Sequence, residues 1–219
     1  MPTIGPNDEV VTRQFVAAMD ARFSYVYTLS PEQWEQHPGL LWYNEAKEIT
    51  HLRRMFLSSC NSWETEIEPN TLVLEVGYSD FLDKNGQNVG VRVWGVYFGC
   101  KSRWNTCGTA DPESLANPLY TLLQSLYTAL VLVEDILKRD SSIMEIIIKT
   151  NVATVLEVCA WGRNLSEIVE DWASCRDLEL MFEEIEERLR LIEISKRSVQ
   201  FWLLTDLYDV VDMLENYFQ

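Results

Sequence analysis

Histidine is nearly missing from this chain: His37 and His51 are the only two in 219 residues. The five cysteines (Cys60, Cys100, Cys107, Cys159 and Cys175) contain no CxxC pair, and a structural zinc site takes about four nitrogen or sulfur ligands. Zinc is therefore not expected, and the cysteines read as reduced, mostly buried thiols. Positive charge is scarce as well. Eighteen basic residues face 34 acidic ones, a formal charge of −16. Nucleic-acid binding depends mainly on Lys and Arg neutralising phosphates, so this balance argues against a polyanionic partner. The candidate basic spots, Lys196-Arg197 and Arg188/Arg190, are diluted by Glu183, Glu184, Glu186, Glu187 and Glu193. No GxGxxG or P-loop occurs. No apolar run approaches the roughly 20 residues that span a bilayer, so no membrane role is expected. The N-terminus, MPTIGPNDEVV, has neither a basic n-region nor an apolar core, which reads as no secretory signal and a cytoplasmic or nuclear setting.

What is present suffices for a packed core. Hydrophobic residues make up 47% of the chain, enough for one large domain or a domain with a substantial extension. Residues 1–70 read as an N-terminal helical extension. Asn7 or Asp8 would cap a helix carrying Val11, Phe15, Met19 and Phe23 about one turn apart. Ser30-Pro31-Glu32-Gln33 is a capping box with proline at the first helical position. LLWYNEAKEITHLRRMFLSS is expected to be helical too, with Leu41, Glu45, Glu48, Leu52 and Phe56 as its marked positions.

From position 71 the texture changes. TLVLEVG and NVGVRVWGVYFG read as strands, with Asp83-Lys84-Asn85-Gly86 as the turn of a hairpin. SRWNTCG is a third strand, and Asn117-Pro118 opens a strong helix. The stretch SIMEIIIKTN is the pivot: Ile146, Ile147 and Ile148 form a fully apolar, β-branched strand that runs into a helical pattern. Such a strand is expected to be buried and parallel to its neighbours. Its carboxyl end, at Asn151, is where functional groups collect in α/β domains. Helices are expected around 152–162 and 165–173, an acid-rich helix over 177–191, a strand at SVQFWLL and a last helix over 206–218.

The order of these elements and several local matches resemble ribonuclease H, most closely its fungal members, over about 71–219. The matching segments are VWGVYFG, SRWNTCG, PLYTLLQSL, IIIKTNVATVLEVCAWGRN, RDLELMFEEIEE and VQFWLL…VVDMLEN. The resemblance implies an α/β ribonuclease H-like fold: a mixed five-stranded sheet flanked by helices, here with the helical extension in front. It also implies a chemistry, phosphodiester hydrolysis by two Mg²⁺ ions held about 4 Å apart by carboxylates.

Carried over position by position, the implied carboxylate sites are largely replaced. Pro118 stands where the first helix would supply a glutamate. Asn151 stands where the fourth strand would end in aspartate, and Val76 where the first strand would carry one. Glu75, Asp80 and Asp83 are the nearby substitutes. Asp212 matches the aspartate of the last helix if one residue is deleted, and the mobile histidine before that helix is absent. The expectation is a catalytically inactive domain, holding no cofactor and no metal, that works through protein–protein contacts as an interaction or scaffold module. Its partner is a protein, with a homodimer as one form. Two rivals stand beside it: a residual or altered nuclease that uses Mg²⁺ through Glu75, Asp80, Asp83 and Asp212 on RNA/DNA hybrid, and a non-catalytic nucleic-acid binder. Other chemistry is thinner still. A Cys60/His51 nucleophile pair lacks a third, orienting group, and the glutamates of 183–187 read first as a solvated helix face, second as a docking surface for a basic partner.

Overall fold

The computed structural model describes residues 41–57, 59–60, 63–82, 88–110, 118–150, 176–203 and 213–214. Seven strands form one sheet: β1 (Leu41–Asn44), β2 (Ile49–Leu57), β3 (Trp63–Leu82), β4 (Asn88–Tyr97), β5 (Thr106–Thr109), β6 (Glu145–Thr150) and β7 (Ser198–Leu203). Two long helices accompany them, α1 (Pro118–Arg139) and α2 (Arg176–Ile194). Strands β1 to β5 follow one antiparallel path. Among the described residues, parallel pairing is confined to β6, which lies between β3 and β7. This corrects the expected ribonuclease H-like class. Seven strands dominated by an antiparallel path, with two long helices among the described residues, replace a five-stranded sheet behind a helical extension.

The difference begins at residues 41–57, which form two strands and a turn where a helix was expected. Glu45, Ala46, Lys47 and Glu48 are good helix formers, but here they make the turn between β1 and β2. The Asn44 side chain accepts hydrogen bonds from the backbone amides of Ala46 and Lys47 at 3.1 and 3.2 Å, an Asx turn that competes with helix. Glu48 completes the turn at φ 58°. The two strands then pair from Leu41↔Leu52 to Asn44↔Ile49. The helices expected before position 40 and over 152–173 lie outside the described residues, as does the hairpin turn at 83–87. Only Met213 and Leu214 represent the last one.

Strand β3 is long because it serves two partners in turn. Its first part pairs with β2 (Leu57↔Trp63 to Leu52↔Glu68) and its second with β4 (Glu75↔Tyr97 to Leu82↔Asn88). Between them the β2 ladder jumps from Leu52↔Glu68 to Thr50↔Val73. Pro69 falls in this gap and has no N–H to give a ladder. Thr71 fills the break: its hydroxyl accepts from the Leu52 amide at 2.8 Å and donates to the Glu68 carbonyl at 2.7 Å.

Alternation along the central strands separates two buried faces. Leu72, Leu74, Val76, Ile146, Ile148, Val199 and Phe201 point to one face and pack under α1 and α2. Leu122, Leu126, Leu130 and Val133 of α1 sit over them, and Ser125 Oγ donates to the Gly95 carbonyl at 2.6 Å. Helix α1 is long and apolar enough to cross a membrane by length and composition. Its apolarity has a local use, since ten of its residues are buried in the protein. Val73, Ile147, Trp202 and Leu52 make a smaller cluster on the second face.

The β1–β2 hairpin is tied to the rest of the sheet rather than appended to it. Thr50 Oγ1 donates to the Phe98 carbonyl at 2.6 Å, Arg103 pairs with Glu48 at 3.0 Å and Lys47 with Asp140 at 2.6 Å. Gly99, at φ 142°, lies under the Tyr43 ring, where an added Cβ would come within 2.2 Å of a ring carbon. His51 is wholly buried; its ring stacks on Trp42 and Nδ1 bonds the Thr71 carbonyl.

Two pH effects follow from this clamp. Burial would raise the Asp140 carboxyl, but hydrogen bonds from Lys47 and Ser142 outweigh it and hold the group at about 2, against an ordinary 3.8. A depressed carboxylate stabilises the fold above its unfolded pKa and loses that contribution as pH falls through the folded one. Asp140→Asn is therefore expected to lower unfolding stability by roughly 1–2 kcal/mol at neutral pH. The deficit should shrink as pH falls from 3.8 toward about 2, read by urea unfolding at several pH values. Burial lowers the His51 pKa, with the Thr71 hydrogen bond opposing it. The unfolded chain then takes up this proton first, so stability is full above the ordinary histidine pKa of 6.5 and declines below it. Unfolding curves of His51→Gln should lack that decline.

Candidate functional site

The residues singled out from the sequence do not converge. Val76 lies in the main core with 0% exposure, facing α1 rather than any opening. Pro118 is the exposed first residue of α1. Asp80 pairs with Arg92 directly across the β3–β4 ladder at 2.7 Å, and Arg92 lies over the Tyr78 ring. Asp83, Asn151 and Asp212 lie outside the described residues.

Glu75 is the informative member. The β3–β4 ladder is unbroken from Glu75 to Asp80, and residues five apart on a strand point to opposite faces, roughly 17 Å apart along it. Glu75 and Asp80 cannot share ions about 4 Å apart. Glu75 instead faces the second side of the sheet, where the parallel register sets it opposite Lys149. Lys149 Nζ donates to Glu75 Oε2 at 2.7 Å, with the lysine side chain 9% and the glutamate 2% exposed. The ammonium also lies 5.8 Å from the centre of the Trp202 ring, within range of a cation–π attraction. The carboxylate is thus balanced by a fixed cation in the sheet itself.

This pair forms the floor of a cavity of about 180 Å³ walled by Leu41, Tyr43, Tyr97 and Gly99. The Tyr43 hydroxyl is buried with no hydrogen-bond partner among the described residues. Burial and the nearby Glu48 carboxylate raise its pKa, so at neutral pH it stays a phenol. Among the described residues no three His, Cys, Asp or Glu side chains gather as a metal-binding group. His51 is committed to Thr71 inside the sheet. Cys60 and Cys100 are exposed, against the expectation of mostly buried thiols, while burial raises the half-buried Cys107.

Lys149 and Tyr43 were missed in the sequence. A usable signal existed for Lys149: the apolar runs of EIIIKT and TLVLEVG are followed by a single lysine and a single glutamate, and buried charges come in pairs. For Tyr43 there was none, because its place depends on a hairpin read as helix. No family model matches the chain, and no curated protein matches it.

A double-mutant cycle tests the pair. Lys149→Met alone leaves Glu75 buried without its cation and is expected to cost about 3–5 kcal/mol in urea unfolding. Glu75→Met with Lys149→Met should recover most of that loss, since an apolar replacement of both charges is commonly neutral or stabilising.

Proposed function

We propose that this chain is a non-catalytic module that works by binding another protein. The observation that carries this reading is the Glu75–Lys149 pair. Among the described residues, the one buried carboxylate facing the cavity is neutralised at 2.7 Å by an ammonium from the neighbouring strand. Hard divalent cations need anionic oxygen ligands, and a fixed ammonium at that carboxylate repels them. Asp80, committed to Arg92 and turned to the other face, supplies no second ligand. The −16 charge supports the same reading, since it disfavours the phosphate backbone any nuclease must approach.

The resemblance in local sequence supplies the reaction to test. Incubation with an RNA/DNA hybrid in Mg²⁺ or Mn²⁺ is expected to give no metal-dependent cleavage, and calorimetric titration with either ion no binding. Turnover that disappears in Asp212→Asn would overturn the proposal. A gel shift with the hybrid at low salt, where electrostatic binding is strongest, is expected to show no complex.

A further inference from the structure

We infer that the outward face of α2 is a docking seam for a basic amphipathic helix of a partner protein; this rests on the protein-binding reading above and specifies its partner. Helix α2 spends one face on the core, where Leu178, Ile185, Leu189 and Ile192 are buried. At 3.6 residues per turn the opposite side carries Leu180, Glu184, Glu187, Leu191 and Ile194. Their spacing alternates four and three, the period of a seam that receives another helix. Leu180 is 50% exposed, Leu191 51% and Ile194 65%, three of the five large apolar side chains that are exposed among the described residues. The stripe from Leu180 to Ile194 is about 21 Å long.

Charge decides what covers it. Glu184 and Glu187 occupy the middle of the stripe, with Glu183 beside them. Glu183 and Glu184 have no ion partner among the described residues. Glu187 is held by Arg190 in an exposed bidentate pair at 2.8 and 2.9 Å, so Glu183 and Glu184 are the carboxylates that a partner's cations would meet first. A second copy of this chain would bring these glutamates against themselves, and an anionic membrane would repel them. A helix with apolar residues toward its ends and Lys or Arg between them meets both the leucines and the carboxylates.

The test uses the full chain and a labelled synthetic helix of leucine and lysine with the seam spacing, followed by fluorescence anisotropy. Two controls accompany it: the leucine–glutamate counterpart, and the leucine–lysine composition in scrambled order. Binding to the first alone is expected. Leu180→Asp with Leu191→Asp should weaken it by about tenfold or more, and Glu184→Lys with Glu187→Lys should transfer preference to the leucine–glutamate helix. Equal binding of either control, or affinity unchanged in the leucine variant, overturns the seam. So does self-association of the full chain in ultracentrifugation that the leucine variant abolishes. Should the leucine variant melt early by circular dichroism, the charge-swapped variant decides alone. Hybrid cleavage would sink the non-catalytic reading and leave this titration standing; failed titration beside a silent cleavage assay removes only the seam.

Discussion

Parallel pairing of β6 with β3 sets Glu75 opposite Lys149, and the character of the sheet's second face follows from that register. Side chains alternate along a strand, so one step of slippage by β6 would turn Lys149 into the apolar core and Ile146 and Ile148 out of it. The apolar residues on the first face hold the register. Leu72, Leu74 and Val76 with Ile146 and Ile148 are all buried beneath α1, and none can be exchanged for its charged neighbour. The salt bridge is therefore less the cause of the arrangement than its consequence. Hydrophobic burial decides where the strands lie, and two charges left on the other side neutralise each other.

That division gives the two faces different roles. The first is closed by α1 and α2 and is apolar except for Thr121, Ser125 and Thr150. The second mixes a small apolar cluster with Thr50, Thr71, Glu75 and Lys149, all buried and all hydrogen-bonded. Each of these four has a partner in or beside the sheet, as burial demands, whereas the Tyr43 hydroxyl on the same face has none among the described residues. The β1–β2 hairpin closes one side of that face, and its Tyr43 ring depends on the absence of a side chain at Gly99.

Helix α2 illustrates how one element can satisfy the fold and leave a surface spare. Its inner stripe completes the core beside α1, where Arg188 joins Glu134 and lies over the Tyr127 ring. Its outer leucines contribute nothing to that packing. They stand among glutamates that keep the helix solvated, an arrangement consistent with a surface whose partner brings the opposite charge.

Much of the element pattern from position 71 was legible in the sequence. The apolar run Ile146–Ile148 is a buried strand, parallel on both sides, and α1 begins at Pro118. Period and run length carry this information, because burial of a strand or a helix face is written into which residues are apolar. The hairpin of β1 and β2 was not legible. Its turn residues favour helix in isolation, and only pairing with β3 and the Phe98 loop outweighs that preference. The strand count and the fold class depended on the same pairing, so they were lost with it. The fate of Glu75 was hidden for a related reason. A sequence shows that a carboxylate exists, whereas the charge it meets is set by register between strands some seventy residues apart, a distance that local pattern does not reach.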